Sequence, residues 1–267
     1  MLKRGPLVYA VAYMVFLYLP VLFLPLFSFN DGVAVAFPLK GFTFRWYEAL
    51  WQVEVLHDAV WNSLKVACAT AVLSTILGIF GARAVTRYNF PGKRPMTGFI
   101  MLPLVLPEII VAIALLIVLV QSGIGLSLIS VTLGHILLCV PFSMAILISS
   151  FEGFDRSLEE ASLDLGESAL GTLFRVTLPV VLPGIVSSLL ITFTISLDEF
   201  IVAFFLSGTD PTLPIYIWGQ LRFPQRIPGI LALGTLLLLG SFILLWIGET
   251  FRRAGQRRLA KSEGDLL

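Results

Sequence analysis

The stretch FDRSLEEASLDLGESALGTLFRVTLPVVLPGI, residues 154–185, is the most polar part of the chain between two long apolar runs. Its first half predicts a helix that begins at a capping box. In that arrangement Ser157 accepts from the backbone N–H of Glu160, and the Glu160 side chain returns to Ser157. Gly166 then interrupts the helix, and a second helical piece is expected over 168–176. The segment therefore predicts two short helices joined at a glycine.

The first of these helices combines apolar residues at helical spacing with an excess of acid. The apolar residues are Leu158, Ala161 and Leu165. The acidic residues are Glu159, Glu160, Asp164 and Glu167. A helix that rests on the lipid surface usually carries Lys and Arg, because the inner leaflet is anionic. The acidic composition indicates instead a helix that docks onto another protein.

Outside this segment the chain has the composition of a membrane protein. Of its 267 residues 57% are hydrophobic and 13% are charged, and the mean hydropathy is +0.94. Soluble domains carry about 25% charged residues. Runs of about 20 apolar residues can cross a bilayer as helices. Six runs qualify, at about 6–28, 62–86, 96–121, 127–150, 180–206 and 227–250. We expect an all-α polytopic protein with six transmembrane helices in a single domain, 1–267.

The distribution of basic residues predicts the orientation. The first run follows Lys3 and Arg4 but is longer than a signal-peptide core and has no A-x-A-like site after it, so we expect it to be retained. With the N-terminus inside, 13 of the 18 Lys and Arg residues lie on the inner side. They are Lys3, Arg4, Arg83, Arg87, Lys93, Arg94, Arg156, Arg175, Arg252, Arg253, Arg257, Arg258 and Lys261. The positive-inside rule then places both termini, and the loop over about 151–179, in the cytoplasm.

This loop resembles the EAA loop of ABC-transporter importer permeases, which reads E-A-A-x3-G-x9-I-x-L-P. The matching residues are Glu160, Ala161, Ser162, Gly166, Val176, Leu178 and Pro179. Ser for the second Ala and Val for Ile are the departures. The resemblance implies the type I ABC importer permease fold and a coupling helix that fits a groove on a cytoplasmic ATPase subunit. It also implies a pair of permease subunits, each contacting one subunit of an ATPase dimer.

Three further motifs resemble the spermidine/putrescine permeases, in particular the second of their two permease subunits. They are GFTFRWYEAL (41–50), PEII (107–110) and SLDEFIVAFFLSG (196–208). The resemblance implies a bacterial inner-membrane importer subunit with a non-identical partner permease, an extracytoplasmic binding protein and a polyamine as cargo.

Apart from Glu249 at the end of the sixth span, three carboxylates lie inside the predicted spans: Glu108 in the third, and Asp198 and Glu199 in the fifth. Each costs about 2.5–3.5 kcal/mol at a helix centre, so such groups usually face a bundle interior or an aqueous path. Counted along straight helices, Glu108 lies ~18 Å deep and Asp198 ~27 Å from the inner end. We predict that the three line the substrate path. Adjacent residues diverge by ~100° on a helix, so we expect Asp198 to face the path and Glu199 to cap, pair or touch the partner permease. Glu108 has an alternative role: it caps backbone freed by Pro107 or pairs with the partner.

An internal echo accompanies Glu108. LPLVLPEII (102–110) and LPVVLPGIV (178–186) share one pattern, which arises either by chance in a Pro/Leu-rich chain or from an internal repeat. In the second copy Gly184 stands in the place of Glu108.

Several classes of function are excluded or left as alternatives. There is no G-x-x-x-x-G-K-[ST], so ATP hydrolysis must come from a partner. We expect no enzyme activity, cofactor, metal site or nucleic-acid partner, since no nucleophile–base pair or metal-ligand spacing is present and the net charge is +1. The alternatives are an ABC permease for ferric iron, sulfate or an opine, and a stand-alone secondary transporter or channel.

Overall fold

A computed structural model describes residues 4–243 of the chain, which fold almost entirely into helices. They are α1 (Arg4–Ser28), α2 (Arg45–Leu50), α3 (Glu54–Arg87), α4 (Lys93–Met101), α5 (Glu108–Gln121), α6 (Leu128–Glu152), α7 (Ser157–Asp164), α8 (Ala169–Thr172), α9 (Leu178–Val180), α10 (Leu182–Asp198), α11 (Ile201–Leu206), α12 (Leu213–Gln220) and a last helix over Pro224–Ile243. A π-helical turn, Leu173–Thr177, joins α8 to α9. Outside the described residues lie the end of the span over 227–250 and six of the basic residues predicted on the inner side: Lys3, Arg252, Arg253, Arg257, Arg258 and Lys261.

Four helices are long and apolar enough to cross a membrane by themselves. They are Gly5–Ser28, Glu54–Arg87, Leu128–Glu152 and Pro224–Ile243. Two further pairs of helices qualify when each pair is taken as one bent span. The six predicted spans correspond to these four helices and two bent pairs, so the all-α membrane fold holds while two spans are not straight.

The first bent pair, Lys93–Leu104 and Glu108–Gln121, turns by 104°. A 3₁₀ turn that contains Pro103 precedes the bend, and Pro107 is the last residue before the second helix. A proline lacks an N–H donor and disfavours helical backbone at the preceding residue, so two of them stop the helix here. The ~18 Å depth for Glu108 assumed a straight helix, and the 104° bend contradicts that assumption.

The second bent pair, Ala169–Val180 and Leu182–Asp198, turns by 72°. Both copies of the internal echo thus lie at bends, which gives the shared L-P-x-V-L-P pattern a common structural effect. The span predicted over 180–206 is interrupted again at Glu199, whose backbone leaves the helical region at ψ 120°. The fifth span therefore has a straight central part, α10, with a break at each end.

By packing, the chain divides into two compact units, of which the larger covers residues 55–216. In it α6 packs against α10, and α5 and α11 pack beside α6. One core lies between α3, α5, α6 and α11; it contains Val66, Val111, Ala112, Leu119, Val131, Leu138, Val202, Ala203 and Leu206. A second core contains Ala82, Leu147, Phe151, Phe154 and Val181. Buried hydroxyls also join α3, α6 and α10, since Ser188 Oγ lies 2.9 Å from Thr75 Oγ1 and 2.7 Å from Ser143 Oγ.

The smaller unit is described over residues 4–54 and 217–243. In α1 the most apolar 18-residue stretch has no buried residue. The loop after α1 is held by short contacts: Ser28 Oγ lies 2.6 Å from the Tyr47 hydroxyl, and Arg45 pairs with Asp31 at 2.9 Å. Phe29 stacks on Phe42, with 4.9 Å between ring centroids. The segment that contains the 41–50 motif is therefore ordered, and these contacts attach it to the end of α1.

Candidate functional site

The polar loop begins with α7, and its N-terminus is bonded differently from the prediction. The carboxylate of Asp155 accepts from the backbone N–H of Ser157 at 2.9 Å, and this donation lowers the pKa of the Asp155 carboxyl below its ordinary value. The predicted capping box was wrong, because the helix begins at Ser157 itself and Arg156 occupies the N-cap position. The Glu160 side chain pairs with Arg156 at 3.0 Å instead of returning to Ser157.

The apolar side chains of α7 point outward. Leu158 is 47% exposed and Leu165 is 90% exposed, and Ala161 between them is exposed as well. Leu170 in α8 is 69% exposed. Apolar side chains that recur at helical spacing and are exposed together are typical of a protein-interaction site. The face that the helical spacing identified is thus available to a partner rather than buried in the chain.

The two adjacent glutamates of α7 have different surroundings. The Glu160 side chain is 60% exposed and its partner Arg156 is 66% exposed. The Glu159 side chain is 11% exposed, and its Oε2 lies 2.9 Å from Nε of Arg87, which is 12% exposed. Thr177 donates its hydroxyl to the Glu159 Oε1 at 2.6 Å. Glu159 therefore ties the end of α3 and the π-helical turn to α7.

Sequence reasoning missed Glu159 and its two partners as functional residues. The EAA pattern begins one residue later, and Arg87 was counted only among the basic residues of the inner side. One available signal was the position of Glu159 three residues before Ser162, which places both on one face of α7. Ser162 shares that inward direction, since its hydroxyl lies 2.9 Å from the Thr172 Oγ1.

Gly166 ends α7 in the left-handed backbone region, with φ +88°. The chain then reverses into α8, where the Ser168 hydroxyl accepts from the N–H of Gly171 at 3.0 Å. Arg175 pairs with Glu167 at 2.8 Å across the same turn. Leu178 and Pro179, the last residues of the EAA pattern, form the start of α9.

Replacing Gly166 by alanine should destabilise this turn, because a Cβ in the left-handed region costs about 1–2 kcal/mol. We expect a lower melting temperature for the purified protein. Gly98→Ala is the matched control, since a Cβ there has no heavy atom within 4 Å and the position is helical. Alanine is favoured over glycine in helices, so that variant should melt at or above the wild-type temperature. Equal melting of all three proteins would contradict the role of Gly166.

Glu108 is the first residue of α5 and is exposed. Within residues 4–243 its carboxylate forms no hydrogen bond or ion pair, and it does not cap the helix that it begins. The backbone groups near the break are bonded without it, since the N–H groups of Ile110 and Val111 donate to the Pro107 carbonyl. The described contacts thus contain no structural role for this carboxylate.

Asp198 is the last residue of α10 and is also exposed. No hydrogen bond or ion pair to its carboxylate is present among the described residues. The C-terminal end of a helix carries partial negative charge, so a carboxylate there is not stabilised by the helix. Carboxylate and helix terminus together form a negatively charged position suited to a cation.

Glu199 is buried, and its carboxylate contacts groups of α6 and α11. Its carboxylate accepts from the backbone N–H groups of Val202 at 2.9 Å and Ala203 at 3.2 Å, which begin α11. Its Oε2 also lies 3.3 Å from Nε2 of His135 on α6. The Ser196 hydroxyl lies 2.8 Å from the other ring nitrogen of His135. Of the three predicted path residues, Glu108 and Asp198 are free of such contacts and Glu199 shapes the break between α10 and α11.

Comparison with known proteins gives a consistent result. The profile of the family "Binding-protein-dependent transport system inner membrane component" matches residues 74–254. The spermidine/putrescine transport system permease protein PotC of Haemophilus influenzae is 35% identical over 240 residues, which cover 89% of this chain and 92% of that protein. The putrescine transport system permease protein PotI of Escherichia coli is 34% identical over 231 residues, covering 84% of this chain and 82% of that one.

Solved structures show the same fold. A subunit of a bacterial ABC transporter that imports the acidic polysaccharide alginate superposes with a TM-score of 0.75 at 15% identity, covering 92% of this chain and 98% of that one. The fold predicted from the EAA resemblance is confirmed. The chain therefore belongs to the family of inner membrane components of binding-protein-dependent transport systems, and it is a transport subunit rather than an enzyme.

Proposed function

We propose that the chain is a permease subunit of an ATP-driven polyamine importer. With a second, non-identical permease it forms the path for putrescine or spermidine delivered by an extracytoplasmic binding protein. The observation that carries the proposal is the pair of exposed, unbonded carboxylates, Glu108 and Asp198, at breaks in otherwise apolar spans. The polyamine names of the relatives PotC and PotI point in the same direction.

The cargo class follows from charge. A polyamine carries ammonium groups joined by alkyl segments, and an ammonium in an apolar passage needs a carboxylate or helix C-terminus beside it. Asp198 at the end of α10 provides both. Glu108 begins α5, where the partial positive charge of the helix N-terminus offsets part of its own, so we expect Asp198 to contribute more. A permease for sulfate, one of the alternatives, would place these carboxylates against an anion.

Coupling to ATP is assigned to the loop over about 151–179. The exposed apolar face of α7, with Glu160, Ala161 and Ser162 beside it, is the surface proposed to fit a cytoplasmic ATPase subunit, and a dimer of such subunits would serve the two permeases. This requires both termini to be cytoplasmic in a bacterial inner membrane, as the basic residues predict. Gly166, Leu178 and Pro179 then hold the second half of the loop against the membrane spans.

Neutralising the two path carboxylates tests the cargo proposal. In proteoliposomes with the complete transporter, Asp198→Asn should lower uptake of radiolabelled putrescine or spermidine about tenfold or more, because a charge-assisted contact is worth about 1.5–3 kcal/mol. Glu108→Gln should lower it by a smaller factor. Asp210→Asn is the control, since Asp210 is exposed and outside the apolar segments. Normal uptake by a double Glu108→Gln, Asp198→Asn variant would reject the path.

ATP dependence tests the class of transporter. Uptake should require the ATPase and ATP inside the vesicle. Transport by this chain without the ATPase, driven by an ion gradient, would instead support a stand-alone secondary transporter.

A further inference from the structure

A cavity of about 180 Å³ lies between the C-terminal end of α3 and the docking helices α7 and α8. Its lining contains five charged side chains among apolar surface. The lining residues include Arg83, Arg87 and Arg156 on the positive side and Glu159 and Glu160 on the negative side. One buried water needs about 15 Å³ of such space. The cavity is therefore large enough for a polyatomic ligand.

The charges of the lining do not cancel. Arg87 pairs with Glu159 and Arg156 pairs with Glu160. Arg83 has no ion pair among residues 4–243. Three arginines and two glutamates leave one positive charge in excess. A cavity with this balance favours an anionic ligand over a cation.

Two of the arginines that line the cavity also have hydrogen-bond donors without partners among the described residues. Nε of Arg83 and Nη2 of Arg87 are buried and have no hydrogen-bond partner among the described residues. Nε of Arg87 is close to Glu159 but is not aligned for a hydrogen bond. Buried donors without partners are rare in native proteins, and such a group indicates a bound water or ion. Guanidinium groups match the oxygens of phosphate well, because their N–H groups form a rigid fork.

We propose that this cavity binds a phosphate-class oxyanion, held by Arg83 and Arg87 beneath the docking helix. The anion is either free phosphate or the phosphodiester of an anionic lipid. A lipid can reach the site because Arg83 and Arg87 are predicted to lie at the inner membrane face. A bound oxyanion links α3 to the loop that is proposed to contact the ATPase. This site is separate from the polyamine path and does not depend on the identity of the cargo.

Stability measurements with inorganic phosphate test the soluble source. The purified transporter complex is titrated with sodium phosphate against sodium chloride at constant ionic strength, and its melting temperature is followed. We expect a saturable rise in wild type, with the apparent phosphate affinity weakened about tenfold in Arg83→Gln, since a charge-assisted hydrogen bond is lost. Arg94→Gln is the control, because Arg94 is an exposed arginine on the same predicted membrane face.

Nanodiscs of phosphatidylglycerol and of phosphatidylcholine test the lipid source. Stabilisation by phosphatidylglycerol that Arg83→Gln loses and Arg94→Gln keeps would identify a lipid headgroup. A second variant, Glu160→Gln, removes a negative charge from the lining and should tighten anion binding, the opposite of Arg83→Gln. If neither phosphate nor phosphatidylglycerol stabilises the complex, or if Arg83→Gln and Arg94→Gln respond alike, the cavity holds only water and the proposal is overturned.

Discussion

Replacing Glu199 by alanine is expected to lower the melting temperature of the purified protein by about 6 °C or more, which corresponds to roughly 3 kcal/mol for a chain of this size. The carboxylate is buried and accepts from backbone N–H groups at the start of α11, including those of Val202 and Ala203. It also contacts His135. Removing the carboxylate leaves its buried hydrogen-bond donors unsatisfied, and each such group costs about 1–3 kcal/mol.

The neighbouring residue provides the control for this experiment. Asp198→Ala removes the same charged group one position earlier, but Asp198 is exposed and has no bonded partner among the described residues. Its melting temperature should stay within about 2 °C of wild type, since surface changes usually alter stability by at most ~0.5 kcal/mol. Comparable losses of stability in both variants would show that Glu199 has no special role in the break between α10 and α11.

Replacing Arg87 by glutamine is expected to have the second large effect, on stability and on coupling together. Glu159 would keep its charge in a site where its side chain is 11% exposed, with Thr177 as its remaining partner. A buried charge that loses its partner costs about 3 kcal/mol or more. Because Glu159 holds α7 against α3, we expect ATP hydrolysis by the assembled transporter to respond less to the loaded binding protein.

A double-mutant cycle separates the ion pair from the individual side chains. The variant with both Arg87→Gln and Glu159→Gln should be more stable than the sum of the single losses predicts, because no unpaired charge remains. Arg156→Gln is the matched control, since the Arg156–Glu160 pair lies on the same helix but is more than half exposed. Exposed pairs contribute about 0–1 kcal/mol. Additive losses of stability in the Arg87–Glu159 cycle would contradict the role of this ion pair in holding α7 against α3.

The two glutamates of α7 show the limit of sequence reasoning at the docking loop. Glu159 and Glu160 are adjacent and chemically identical, and the EAA pattern favours the second. Which one is buried depends on where Arg87 and Thr177 lie in space. Arg87 ends α3, and Thr177 ends the π-helical turn later in the same loop. The pattern predicted the loop, its glycine and its surface, but not the ion pair that holds it.

The family and the all-α membrane fold followed from the sequence and are confirmed. Both depend on local properties, namely the summed hydropathy of each run and the fixed offsets of the EAA pattern. A single sequence was therefore sufficient to predict them. The prolines of the two L-P-x-V-L-P copies were visible as well. Their bends of 104° and 72° were not predicted, since a proline permits a bend but packing sets its angle.

Only the tertiary structure separated the roles of the intramembrane carboxylates. On a straight helix Asp198 and Glu199 differ only in the direction of their side chains. Sequence reasoning assigned Glu108 only a depth calculated along the helix. In the folded chain Glu199 is drawn into contact with His135 of α6 and the backbone of α11. Burial and long-range partners determine which carboxylate is used inside the protein. Those partners are distant in sequence, so they cannot be predicted from composition or from the spacing of residues. Glu108 and Asp198, which lack such partners among the described residues, are the groups that we propose contact a cation.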